Sequence, residues 1–100
     1  MIVVSGTITV DAPDVPRALE LFRAVAAASR REPGCHAYAV STDVEVPGKF
    51  RVFEEWASRA PLMAHLAAPH IQQFMAAIGE IRVREITVVH YEATGRKQAV

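Results

Sequence analysis

The hydrophobic pattern of this chain predicts an α+β fold, a four-stranded antiparallel sheet with its helices packed on one face. Three observations carry that prediction. Period-two runs of β-branched and aromatic residues occur four times. Helical periods lie between the first and second runs and between the third and fourth. Pro, Gly, Asp or Ser stands at the changes of period. The order is β-α-β-β-α-β with the second helix in two pieces, the split, ferredoxin-like arrangement.

The elements follow in turn. Ile2 to Val10 alternates, with Ile2, Val4, Ile8 and Val10 on one side and Ser5, Thr7 and Thr9 on the other. Asp11 to Pro16 supplies helix-start signals. From Pro16 to Arg31, Ala18, Leu19, Phe22, Val25, Ala26 and Ser29 share a helical face, and Arg30 and Arg31 suit the negative end of the helix. Glu32-Pro33-Gly34 ends it. Cys35 to Val44 reads as a strand with Cys35, Ala37, Ala39 and Ser41 on one face and His36, Tyr38, Val40 and Thr42 on the other. Pro47-Gly48 marks a hairpin turn before a third strand, Lys49 to Trp56. Ser58 caps a short helix to Ala67, with Leu62, Met63 and Leu66 as its apolar contacts. Pro69 starts a second piece, in which Ile71, Phe74, Met75 and Ile78 have i, i+3, i+4, i+7 spacing until Gly79. The last strand runs from Ile81 to Tyr91, and a change of apolar face near Glu85-Ile86 predicts a bulge. Residues 1–92 thus form one domain, and 93–100 form a polar C-terminal tail.

Size and composition narrow the function. A 100-residue chain makes one domain, and such a domain buries only roughly 60–70% of its unfolded-chain surface. With 51% apolar residues and strands apolar on both faces, the sheet face without helices needs a cover. A second copy is the simplest one, giving a homodimer through the open sheet face with a barrel-like core. Eleven basic and eleven acidic residues cancel and form no basic stripe, so nucleic acid is not expected as a partner. No apolar run approaches the ~20 residues of a membrane helix, and the start of the chain lacks signal-peptide character. The single cysteine, Cys35, fits a reducing, cytoplasmic setting. There is no G-x-G-x-x-G cradle for a nucleotide cofactor.

Chemistry-bearing residues gather where the third strand meets the broken helix: Glu54-Glu55-Trp56, His65, Pro69-His70 and Phe74. His65 titrates near working pH if unperturbed and suits a general base. His70, in the first turn of a helix, is favoured as neutral imidazole, as a base must be. Trp56 offers a stacking face and an N–H donor. These three form the candidate catalytic set. Tyr38, Glu55, Arg51, Phe74 and Met63 form the candidate substrate-contacting set, with Glu55 read as a carboxylate turned towards the helices and needing a partner. Each has a plainer reading: a helix histidine bonded to a carboxylate, a core tryptophan, a packed tyrosine. The five-residue gap between His65 and His70 is not a zinc spacing, and no Cys or Asp completes a set, so no metal is expected. Nothing beside Cys35 lowers its pKa, so it is not expected to act as a nucleophile.

On Glu32-Pro33-Gly34-Cys35 with Tyr38, Glu55-Trp56, and Ala64-His65-Leu66 leading to Pro69-His70 and Phe74, the chain resembles the antibiotic biosynthesis monooxygenase (ABM) family. These are small dimeric α+β barrel proteins, and the likeness is greatest to the quinol-monooxygenase-like members. It spans residues 1 to 91. It implies a cofactor-independent oxygenase that deprotonates a quinol or polycyclic phenol and lets the anion react with dioxygen. Haem-degrading members carry an Asn on the first strand, a Trp in the second helical region and an axial His. Here His65 stands at the Trp position, Met75 stands near the axial position and the first strand has no Asn, so haem is not implied. Two alternatives share the pocket. One is a non-oxidative isomerase of a small hydroxyketone, for which Lys49 and Arg51 are the nearby pair for a phosphate. The other is a non-catalytic ligand-binding or stress-related dimer.

Overall fold

The computed structural model describes residues 1–100. Strand β1 (Ile2–Val10) leads through a 3-10 turn (Ala12–Asp14) into helix α1 (Val15–Ser29). Strands β2 (Cys35–Thr42) and β3 (Lys49–Trp56) follow, then helices α2 (Arg59–Ala67) and α3 (Pro69–Ile78), then strand β4 (Val83–Glu92). The sheet order is β2-β3-β1-β4, antiparallel throughout. This is the α+β, ferredoxin-like fold that the order of periodicities predicts.

Period two decides which side of the sheet meets the helices. Ile2, Val4, Ile8 and Val10 of β1 and Phe50, Val52, Glu54 and Trp56 of β3 all point inwards and are buried. From above, α1 sets Ala18, Phe22, Val25, Ala26 and Ser29 against them. Phe22 bridges the layers, with ring centroids 4.9 Å from Phe50 and 5.2 Å from Phe74 of α3.

The break between α2 and α3 has a local cause. Ala68 precedes proline, which disfavours helical backbone, and adopts an extended conformation (φ −67°, ψ 146°). Its carbonyl accepts the N–H groups of Ile71 and Gln72 and so starts α3. Of the expected apolar contacts on these helices, Leu62, Ile71 and Ile78 are buried, but Met63, Leu66 and Met75 are exposed. A two-turn helix offers one narrow inward stripe, and on α2 Leu62 and His65 fill it.

Two bulges adjust the strands. Arg84 is an extra residue between Val83, opposite Val10, and Glu85, opposite Thr9, one position before the expected Glu85-Ile86 site. His36 is the other, between Cys35 opposite Trp56 and Ala37 opposite Glu55. It moves Cys35 off the face of Ala37 and onto that of Tyr38, against the simple alternation. β2 ends at Thr42 rather than Val44, because the Asp43 carboxylate takes the N–H groups of Glu45 and Val46 at 2.8 and 2.9 Å and curls the chain. Gly48 then turns with φ +78°, where a Cβ would strike the Val10 carbonyl oxygen.

The other sheet face has no helix. Phe53, Val89 and Tyr91 are exposed on it. Ile86 and Val88, on the helix side of β4, are more than half exposed, so the helices leave this edge strand uncovered as well. No helix is long and apolar enough to cross a membrane.

Asp43 gives the hairpin a pH signature. Its carboxyl is held below the usual range, first by the N–H groups of Glu45 and Val46 and then by Arg51. A depressed folded-state value contributes stability above the unfolded-state value, and that contribution is lost as pH falls through the folded one. Asp43→Asn should therefore lower the melting temperature at neutral pH, and the gap to the parent should close on acidification below the carboxylate range. Parallel melts across pH check this; a gap independent of pH would contradict it.

Candidate functional site

The cluster is built from five segments. Glu54 and Trp56 share the inward face of β3, and the indole Nε1–H donates to Glu54 Oε1 at 2.8 Å. From α2, His65 lies over Trp56 with ring centroids 4.6 Å apart. Tyr38 of β2 is on its other side at 5.6 Å. The turn after α1 delivers Glu32, whose Oε1 meets His65 Nδ1 at 2.9 Å. His70 Nε2, from the first turn of α3, approaches the same oxygen. An ionised carboxylate has no proton to give, so the His65 hydrogen sits on Nδ1. His65 Nε2 then faces Glu54 Oε1 across 3.8 Å, beyond hydrogen-bond range. Ser29 Oγ is 3.5 Å from His70 Nε2.

Burial governs the electrostatics. Trp56 is fully buried, and Glu54 and His65 nearly so. Desolvation raises the Glu54 carboxyl, with the indole N–H and His65 opposing and Glu32 adding to the rise. The Tyr38 phenol is pushed far above its ordinary value by burial and then by Glu54, so it acts as a neutral hydroxyl. Burial, followed by Glu32 and Glu54, also pushes the Cys35 thiol up, the opposite of an activated nucleophile.

Two hollows lie beside α1, and one of them reaches the cluster at His70. One of about 240 Å³ lies between α1 and α3, with His70 and Phe74 in its wall beside Leu21, Val25 and Gln73. The other, about 520 Å³, runs between α1 and β2 and is walled by Phe22, Arg23, Arg30, Val40 and Phe50 among others. Trp56, His65 and Tyr38 line neither hollow.

The fold thus brings His65, His70, Trp56 and Tyr38 together and sets Phe74 at the edge of the smaller hollow. It does not bring the other three. Glu55 and Arg51 point to the opposite side of the sheet, because β3 is regular and odd positions there face away from Trp56. Glu55 lies 3.9 Å from Arg96, and Arg51 is tied to Asp43 at 2.9 Å. Met63 is exposed on the outer side of α2. The buried carboxylate needing a partner is Glu54, not Glu55. The alternation that puts Glu54 on Trp56's face is the signal that identifies it. Glu32 reads in sequence only as part of a helix stop. No local spacing links it to histidines 33 and 38 residues later, yet it supplies the third donor that the His65–His70 pair lacks on its own. The donor atoms of Glu32, His65 and His70 all lie within 4.8 Å of one another.

Sheet order, helix break and buried cluster define a ferredoxin-like α+β protein with linked imidazoles and carboxylates between sheet and helices. The family model described as antibiotic biosynthesis monooxygenase matches residues 1–77, and the chain belongs to that family. Membership assigns it to the monooxygenases as an enzyme class. It is 32% identical over 77 residues to Rv0793 of Mycobacterium tuberculosis, a protein named as a candidate monooxygenase, covering 76% of this chain and 75% of that one. It is 30% identical over 80 residues to the probable quinol monooxygenase YgiN of Escherichia coli, covering 71% and 77%. A solved structure of a candidate antibiotic biosynthesis monooxygenase from Deinococcus radiodurans superposes with a TM-score of 0.95 at 30% identity, covering 100% of this chain and 99% of that one.

Gly34 is the residue that lets Glu32 reach the histidines. It turns the chain at φ +81°, and a Cβ there would meet Pro61 Cβ and Cγ at 2.6 Å. Its carbonyl accepts Ala57 N–H at 2.8 Å, clamping the turn against the start of α2. Gly34→Ala should cost at least about 2 kcal/mol, from left-handed backbone plus the clash. Urea unfolding reads this, and a loss near zero would show that the turn relaxes freely.

Proposed function

We propose that the chain is a cofactor-independent monooxygenase that oxidises a quinol or a polycyclic phenol with dioxygen. The observation that carries this reading is the convergence of two imidazoles on one carboxylate oxygen, at the wall of a hollow that His70 reaches. The resemblance to a protein named as a quinol monooxygenase supports it. His70, with a quarter of its side chain exposed, receives the phenolic proton. Glu32 holds its ring and spreads the gained charge over the His65 side of the cluster. The phenolate is the electron donor to dioxygen. Conversion of a phenol to a quinone takes one oxygen atom into the ring and releases the other as water. The substrate supplies all the electrons, so no flavin, nicotinamide or metal enters the balance. Phe74 and Val25 give the ring an apolar wall. Trp56, fully buried, acts through Glu54 rather than by stacking on substrate. The volume of about 240 Å³ suits a one- or two-ring quinol better than a larger polycycle.

The linked set of His65, Glu32 and His70 also favours a second reading, isomerisation of a small hydroxyketone by proton transfer alone. That activity would turn over without oxygen.

Oxygen uptake with a panel of hydroquinones and naphthoquinols separates the two. The expected result is uptake that falls by about 100-fold or more in the His65→Ala, His70→Ala double variant, the scale of a lost general base. Absence of uptake across the panel, or uptake unchanged in the double variant, would end the oxidative reading. The bare sheet face with Phe53, Val89 and Tyr91 supports a homodimer closed over that face. Light scattering should give twice the chain's 10.9 kDa, and Val89→Glu should return the single-chain mass; a parent already at that mass would exclude the dimer.

A further inference from the structure

We propose that Glu32, His65 and His70 form a site for one divalent transition-metal ion of the zinc class, with Glu54 and Trp56 as its outer support. This inference does not rest on the oxidation proposed above.

The donor chemistry is two imidazole nitrogens and one carboxylate oxygen, a set suited to zinc and its neighbours. The three atoms already converge, all within 4.8 Å of one another. Ligands about 2.0–2.2 Å from a tetrahedral zinc stand roughly 3.4 Å apart. His65 Nδ1 and Glu32 Oε1, at 2.9 Å, need only a small outward shift of the carboxylate. Both ring nitrogens point at that one oxygen, so an ion placed between them meets all three donors without a change of fold.

The surroundings fit as well. Ligating histidines usually hand their other ring hydrogen to a carboxylate. In the hydrogen-bonded network His65 has its hydrogen on Nδ1, and Nε2 faces the Glu54 oxygen without one, at 3.8 Å. An ion on Nδ1 moves the hydrogen to Nε2 and turns that facing pair into a donor and an acceptor. Trp56 Nε1–H fixes Glu54 in place at 2.8 Å. Two carboxylates, Glu32 and Glu54, balance the charge of a divalent ion in this buried setting. Access comes from the His70 side, where that ring lines the hollow between α1 and α3. An ion here occupies the ring nitrogens that a substrate proton would need, so zinc would act as an inhibitor of proton transfer at this site.

The test is binding, read without turnover. The full chain, stripped with EDTA and dialysed, is titrated with Zn²⁺ by calorimetry and with Co²⁺ by visible absorption. The expected result is one ion per chain and a cobalt band typical of low coordination number. His70→Ala and Glu32→Gln should each weaken binding at least tenfold while circular dichroism shows them folded. Glu54→Gln should weaken it by about 10–100-fold through the outer support. His36→Ala and His90→Ala, which remove exposed histidines elsewhere, should change nothing. Absence of binding, binding unaltered in His70→Ala, or loss in His36→Ala or His90→Ala instead would overturn the site. A buried His65→Ala variant that fails to fold does not enter the comparison. A failed titration would leave the oxygen-uptake experiment standing, and the reverse also holds.

Discussion

One carboxylate oxygen, Glu32 Oε1, is shared by imidazoles from two different helices. That sharing ties three separate pieces of chain together: the turn after α1, the end of α2 and the start of α3. None is long. α2 has 9 residues and α3 has 10, lengths at which isolated helices are marginal. Their orientation therefore depends on what they hold, and on the inner side of α2 that is Leu62 and His65. The Ala68-Pro69 break matters for the same reason. A continuous helix would place residues 65 and 70 about 140° apart around its axis, and the break lets both rings aim at a single point.

Below this contact, a polar pair sits inside a thin core. Glu54 and Trp56 take two inward positions of β3 that would otherwise hold aliphatic residues. Burying a carboxyl is costly unless it is hydrogen-bonded. The indole N–H satisfies one oxygen, and no buried side-chain nitrogen or oxygen of the chain lacks a partner. Polar groups kept at such cost are a feature of functional sites. The Tyr38 ring packs beside His65, and Ser29 Oγ lies 3.5 Å from His70 Nε2. In a domain of this size the cluster and the core share one small volume, so the rings pack against one another and the accessible space lies at their edge.

The fold is one-sided. Helices shield β2, β3 and β1, while β4 and the far sheet face keep Phe53, Ile86, Val88, Val89 and Tyr91 in solvent. Apolar surface of this extent suits association. The cluster lies on the helix side, away from the far face that carries Phe53, Val89 and Tyr91.

Much of this was legible in the sequence, because strands and helices follow local periodicity and turns follow the φ preferences of Gly and Pro. Residues 2–10 and 49–56 alternate cleanly and form strands as expected, and the inward set of β3 could be read two residues at a time. The likeness of the Glu32-Pro33-Gly34, Glu55-Trp56 and Pro69-His70 segments pointed to the family on the same local information. Tertiary structure alone decided what those segments do to one another. The bulge at His36 moved Cys35 across the sheet, Glu54 rather than Glu55 became the buried carboxylate, and Arg51 was claimed by Asp43. Above all, Glu32 became the partner of both histidines. A hydrogen bond between side chains 33 or 38 residues apart leaves no period or spacing to read, since only the packing of helices on a sheet brings such atoms within 3 Å.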